Sequence, residues 1–366
     1  MELSDATTKY HRLLRHMEQH GFDAIVIGRQ DNFAWFTSGG SNRVVNTSEL
    51  GFGLLILTAE KTWLVAHIMD GPRILEEEMG GWKVEPVFLR WYEEGRDTRA
   101  ANLVKGRRVL SDVPLAGAVC EPAQLHALHY PLTELEITRC RKLGGMTERI
   151  LREVSDAVQP GMTERDVEAM LLGEYARENM TADVLLVGAD DRISKYRHPV
   201  PTDRRIERLL LLHPAVRKWG LHANVTRMVY FGQGLPAELA RRYDAVCAVE
   251  AAAISLSVPG TRFWDILEAE KEVYRQHGFG EEWRNHYVGG ITGYLLADPT
   301  LCLQPDKTVS VNQAFDWFVT ITGAKGEELC LTTANGPEVA SVAGAWPVRQ
   351  HEFRGRTVKL PAILQR

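Results

Sequence analysis

The sequence predicts an α/β (α+β) chain of two domains, the second built from two similar halves. Three observations carry this. First, 366 residues at roughly 150 per domain give two domains with enough chain to bury a sizeable core in each. Second, short apolar runs alternate with helical patterns along the first third, which is the signature of helices layered on a sheet. Third, a helix, a Pro-Gly turn, a Thr and another helix occur at Val158-Gln159-Pro160-Gly161-Met162-Thr163 and again at Val258-Pro259-Gly260-Thr261, 99 residues apart. That spacing is too long for a solenoid and fits a duplicated half-domain.

Residues 5–20 place Leu13, Leu14 and Met17 on one helical face, and Gly21 stops the helix. Asp23 to Ile27, Gly53 to Leu57 and Thr62 to Val65 read as buried strands, the last two joined as a hairpin across Ala59-Glu60-Lys61. A helix over Arg73–Met79, a strand near Trp82–Phe88 and another near Arg108–Leu110 extend the alternation, and the first domain closes at about 130. Residues 131–366 form the second. It opens on a long amphipathic helix over 133–157, where Leu135, Ile137, Cys140, Leu143, Met146, Ile150, Leu151 and Val154 share a face. The two halves then each run helix, turn, helix, with Thr163 and Thr261 as capping candidates and helices ending near Asn179 and at His277-Gly278. Strands follow at 182–187 and 209–212 in the first half, and at 313–322 and 329–332 in the second. A cleft between such halves is the natural ligand site. Trp35, Trp91, Tyr92, Trp317 and Phe318 are expected in the core.

Composition narrows the function. Forty-three basic against 48 acidic residues, a net charge of −5, disfavours a nucleic-acid partner. Five cysteines without a CxxC pair suggest neither a disulfide framework nor a zinc ribbon, and with no apolar run of signal-peptide or membrane-spanning length a cytoplasmic protein is expected. Gly289-Gly290 lacks the strand-to-helix context of a phosphate-binding loop and reads as a tight turn.

Several segments together resemble the creatinase, prolidase and methionine aminopeptidase superfamily, peptidase M24, with its pita-bread fold. Gly21-Phe22-Asp23-Ala24-Ile25-Val26 and Asn32-Phe33-Ala34-Trp35-Phe36-Thr37-Ser38-Gly39 look like a creatinase-type N-terminal domain. Thr133-Glu134-Leu135-Glu136-Ile137 through Pro160-Gly161-Met162-Thr163-Glu164 resembles the start of the catalytic domain. Arg197-His198-Pro199 is similar to its substrate-side histidine segment, and Trp219 to Arg227 to its Gly-Tyr-x-x-Asp-x-Thr-Arg segment. Metallopeptidases of this superfamily hold two metal ions with two Asp, one His and two Glu. The resemblance places His213 and Asn224 at the Asp positions, Gly290 at the His and Phe318 at the first Glu; only Glu327 is retained. No metal or other cofactor is therefore expected. A shift of alignment would put His286 at the His position, and a single metal rebuilt at His213 with His222 is the minor alternative.

Creatinase works without metal on this fold, with a histidine base in a segment that Arg197-His198-Pro199-Val200 resembles. The resemblance thus implies a metal-independent hydrolase cleaving a carbon–nitrogen bond of a small polar metabolite, with His198 and Glu327 catalytic. An imidazole titrates near neutrality and suits proton transfer, and a carboxylate suits orienting it or holding a cationic group. Candidate substrate contacts are His286, Thr226, Arg227, Phe318, His213 and Asn224; Arg227 has the alternative of pairing a carboxylate to hold the sheet. Homodimers of the family bring the N-terminal domain over the neighbouring cleft, which makes Trp35 and Arg43 candidate contacts there. The alternatives are a metal-dependent Xaa-Pro aminopeptidase or dipeptidase, and a non-catalytic protein binding a small molecule or a partner.

Overall fold

The computed structural model describes residues 2–366, with the side chains of Leu301 and Cys302 excepted. The chain divides into two compact units, residues 1–135 with 219–221, and 136–218 with 222–366.

The N-terminal unit opens with helix α1 (Glu2–His20), closed by Gly21 at φ +68°. Strand β1 (Ala24–Arg29), helix α2 (Gln30–Phe36), strands β2 (Leu50–Leu57) and β3 (Thr62–His67), helix α3 (Gly71–Glu77) and strand β4 (Glu85–Leu89) follow. Helix α4 (Arg96–Leu103), strands β5 (Val109–Ser111) and β6 (Ala118–Cys120) and helix α5 (Pro122–His129) complete it. Its six strands form one mixed sheet in the order β4-β3-β2-β1-β5-β6. The expected hairpin is β2–β3, antiparallel with Leu54 opposite Val65. Helix α2 is an element that the sequence reading lacks: it is only two turns of mostly aromatic and polar residues, below the length at which a helical period declares itself. Trp35 lies on it, fully buried 4.8 Å from the His129 ring, so it presents no surface to a second subunit, contrary to the expectation. Arg43 is half-buried in the loop after α2, its carbonyl accepting from Arg73. Trp91 and Tyr92 correct another expectation: they are 70% and 62% exposed, because β4 ends at Leu89 and they fall in the turn beyond the sheet.

The C-terminal unit begins with helix α6 (Glu134–Ala157), whose Ile137, Cys140, Leu143, Ile150, Leu151 and Val154 are buried as their spacing requires. The first half continues through helix α7 (Glu164–Arg177), strand β7 (Thr181–Ala189), the short helix α8 (Asp191–Lys195), and strands β8 (Leu209–Lys218), β9 (Leu221–Asn224) and β10 (Arg227–Tyr230). The second contains helices α9 (Ala237–Leu256) and α10 (Phe263–Gln276) and strands β11 (Gly290–Thr292), β12 (Gln313–Ile321), β13 (Ala324–Thr333) and β14 (Gly336–Val339). Strands β15 (Val348–Phe353) and β16 (Arg356–Pro361) form a terminal hairpin, and β17 (Leu364–Gln365) adds to the first-half sheet beside β10.

The duplication is visible bond by bond. Gly161 N–H donates to Ile206 O at 2.8 Å and Gly260 N–H to Val309 O at 2.9 Å; the return bonds run from Ile206 N–H to Met162 O and from Val309 N–H to Thr261 O. Glu164 N–H to Arg204 O and Phe263 N–H to Lys307 O continue the match, both at 3.0 Å. Gly161 and Gly260 take φ values of +94° and +89°, a left-handed turn that glycine adopts without a Cβ penalty. The caps differ. Thr163 accepts from Asp166 N–H and Asp166 reaches back to Thr163 N–H, a capping box, whereas the second helix starts at Phe263, two residues after Thr261, with Arg262 in the N-cap position and no side-chain cap.

Beyond these, one sheet runs β17-β10-β8-β7 with β9 on β8, and the other β11-β12-β13-β14. Thr226 N–H donates to Glu327 O at 2.9 Å, tying the β9–β10 connection to β13. Cys120, Cys140, Cys247 and Cys330 are free thiols. Among the described residues no helix is long and apolar enough to cross a membrane.

Candidate active site

A cavity of about 170 Å³ opens in the C-terminal unit where β7 and β8 face β12 and β13. Its apolar lining is Val184, Leu186, Ala215, Leu296, Ala297 and Phe318, and its polar lining is His198, His213, Asn224, His286, Tyr287, Lys325 and Glu327.

Strand alternation sets the polar wall. On β13, Lys325 and Glu327 are two residues apart and so point to one side, while Glu328 points to the other. Glu327 is 1% exposed. Its Oε2 receives His213 Nδ1 at 2.8 Å, Lys325 Nζ at 3.2 Å and the Thr226 hydroxyl at 3.2 Å. Its Oε1 has no hydrogen-bond partner. Burial alone would raise this carboxyl, but His213 first and Lys325 second, each by charge and by hydrogen bond, outweigh it and hold it at about 2. His213 is held below the ordinary imidazole range by burial, and the Lys325 charge adds to that, so it is the neutral donor of the pair.

Asn224 is buried at the end of β9. Its Nδ2 donates to Leu296 O at 2.9 Å and to Asp316 Oδ2, which commits both amide hydrogens and leaves Oδ1 unpartnered. Asp316, fully buried on β12, has its carboxyl pushed well above the usual range by burial and by the neighbouring Glu327. Both causes favour its protonated form.

The third group is a histidine pair. His286 Nδ1 lies 2.6 Å from Tyr287 O, and since a carbonyl only accepts, that nitrogen carries the proton. The unprotonated His286 Nε2 then accepts from His198 Nε2, 3.0 Å away, which leaves His198 Nδ1 as an open lone pair. Burial lowers both imidazoles, His286 to about 4, and the charge of Lys325 acts the same way on each. Both are neutral above pH 6.5.

The cavity therefore gathers His198, His213, Asn224, His286, Phe318 and Glu327 among the residues singled out by sequence, and Thr226 stands behind it on Glu327. Arg227 is elsewhere. It is fully buried on the opposite face, in a double contact with Glu328 and a 2.8 Å bond to Ser341 O, which is the sheet-holding alternative. His222 uses both ring nitrogens, on Gly293 O and Asp183, and does not face His213. Gly290 contributes no side chain to the cavity: a Cβ there would meet Asp298 O at 2.2 Å. Lys325 and Asp316 are the site residues that the sequence reading missed. The available signal for Lys325 was its position two before Glu327, which puts both on one strand face.

Comparisons with known proteins accord with this architecture. Residues 138–315 match metallopeptidase family M24. A probable dipeptidase PepE of Mycobacterium tuberculosis (strain H37Rv) is 23% identical over 221 residues. That match covers 58% of this chain and 58% of the relative, so the chain spans well under two thirds of the curated relatives it matches. Among solved structures, an Xaa-Pro dipeptidase from Bacillus anthracis superposes with a TM-score of 0.78 at 15% identity, covering 98% of this chain and 99% of that one. The prolidase of Pyrococcus horikoshii OT3 gives 0.75 at 18%, over 95% and 100%. Dipeptidase PepE of Mycobacterium ulcerans gives 0.75 at 17%, over 100% and 99%. With duplicated half-domains following an α/β N-terminal unit in the chain, this protein has the pita-bread fold of these structures, and residues 138–315 of its C-terminal unit match the metallopeptidase M24 family.

Proposed function

We propose that the chain is an M24-type hydrolase that cleaves the carbon–nitrogen bond of a small peptide-like amide, with His198 as general base and no resident divalent ion. The observation that carries it is the His198–His286 contact at 3.0 Å on the rim of a cavity that also holds Glu327. His198 Nδ1 takes a proton from water, the hydroxide adds to the carbonyl carbon, and the proton passes to the departing nitrogen as the carbon–nitrogen bond breaks. Positioned acid–base catalysis of this kind contributes about 10²–10⁴-fold.

The metal pair that the superfamily implies does not fit the residues present. Among the described residues no group of three or more His, Cys, Asp or Glu stands together as a metal-binding set. Phe318 brings a ring where a carboxylate is needed, the Asn224 amide is committed to Asp316 and Leu296, and the backbone closes over Gly290. The Lys325 ammonium, 3.2 Å from the retained Glu327, already supplies positive charge and would repel a dication.

A metal-dependent Xaa-Pro dipeptidase is the second reading, favoured by the whole-chain likeness to the Bacillus anthracis protein of that description. Assays of Xaa-Pro dipeptides and other small amides, on protein purified without added ions and with or without chelator, separate the two. Turnover that survives chelation and is lost in His198→Ala supports the first; turnover abolished by chelator and restored by Mn²⁺, Co²⁺ or Zn²⁺ supports the second. A homodimer in the cytoplasm completes the proposal, with Ile68, Met69, Trp91 and Tyr92 exposed at the ends of β3 and β4 as a surface suited to a partner.

A further inference from the structure

Two buried acceptors and one buried cation line the same cavity with hydrogen-bonding capacity unspent. Glu327 Oε2 is filled by three donors while Oε1 has none; Asn224 has given both amide hydrogens away and keeps Oδ1 open. Buried acceptors left without donors cost about 1–3 kcal/mol each, which marks positions where a ligand donor belongs. Lys325, 3% exposed, carries three N–H groups and directs one at Glu327, so it can also donate to a ligand oxygen.

We propose that this cavity recognises a neutral carboxamide group through both of its ends, the carbonyl oxygen accepting from the Lys325 ammonium and the two amide hydrogens donated to Glu327 Oε1 and Asn224 Oδ1. A carboxylate would satisfy Lys325 but bring no hydrogen to the two acceptors and would face the Glu327 charge. An ammonium would satisfy the acceptors but offer nothing to Lys325 and be repelled by it. Only a group with acceptor and donor side by side meets all three. The cavity as a whole has about 170 Å³, and its wall of Val184, Leu186 and Phe318 takes a short hydrocarbon tail. The inference rests on the reading that this cavity is the reactive site, and it assigns Lys325 the role of polarising the carbonyl that is attacked.

The test is binding, not turnover. Four probes of nearly equal size are titrated into the full chain at pH 7 by calorimetry or ligand-observed NMR: butyramide, methyl propionate, butyrate and butylammonium. The amide binds at least tenfold tighter than each of the other three, and in the Lys325→Met/Glu327→Gln double variant, where both charges vanish together, it loses at least tenfold. Equal or tighter binding of the ester, butyrate or butylammonium, no binding of the amide, or an unchanged double variant overturns the proposal. The four-probe comparison on the wild-type chain decides it even where the double variant does not fold. Loss of amide selectivity with His198-dependent turnover intact sinks this inference alone; selectivity without turnover sinks the catalytic reading alone.

Discussion

Replacing Lys325 by Met leaves Glu327 as a buried carboxylate without its cation, and the cost is calculable. The carboxyl stands at about 2 against an ordinary 4.5, which at about 1.4 kcal/mol per tenfold in proton affinity corresponds to about 3 kcal/mol of stability at neutral pH. Because the folded value is depressed, that contribution is present above about pH 4.5 and is lost as the pH falls towards 2. In Lys325→Met the carboxyl loses that charge and rises from about 2, held down by His213 alone, so the loss relative to the parent chain is full at neutral pH and shrinks as the pH falls and Glu327 takes up a proton. The expected loss at pH 8 is about 3–5 kcal/mol, the cost of breaking a buried pair from one side. Removing both charges in Lys325→Met/Glu327→Gln costs no more than about 1 kcal/mol, since neutral side chains of similar volume fill the same space. Urea unfolding of the four proteins from pH 5 to 8, followed through the transition of the C-terminal unit, closes a double-mutant cycle with a coupling of about 3 kcal/mol. A coupling below about 0.5 kcal/mol refutes the reasoning.

The rate of amide cleavage rises with pH along a limb whose midpoint lies below 6.5, since burial and the Lys325 charge depress His198; His198→Ala lowers kcat by about 10²–10⁴ and abolishes the limb, and a limb that persists would reassign the base. Gly290→Ala drives a methyl onto Asp298 O, 2.2 Å from the ideal Cβ, and lowers stability by about 1–3 kcal/mol in thermal unfolding, while Gly290→Leu is worse. Thr163→Ala removes the capping box of α7 and costs about 1 kcal/mol by urea denaturation, with no change in probe binding at the cavity.

The parts of the fold that were legible are those set by local pattern. The long α6 shows its period over 24 residues, and the repeated Pro-Gly turns announce the half-domains because each needs a left-handed glycine at the same place. Helix α2 was illegible because seven residues carry too little period. Within the site, Glu327 and His198 were found through resemblance, but their surroundings depend on strand pairing. The start of β13 at Ala324 sets Lys325 on the cavity face, and Ala-Lys-Gly-Glu-Glu reads in isolation as a polar turn. Asp316 sits in an otherwise apolar run on β12, where a lone buried acid signals a partner but does not name it; Asn224 on β9 lies 92 positions away. The resemblance set Gly290 at the family's histidine position, but only packing reveals that the space above it is taken.

That occupied space sets a direction on change. If the histidine of the metallopeptidases were reintroduced at 290 by a single codon, the imidazole would have no exit from the strand, because the carbonyl of Asp298 stands in its way. Any side chain at 290 would require the segment that follows β11 to be rebuilt first. The closure over one glycine thus works as a ratchet, since the backbone must move before a larger residue at 290 can be kept.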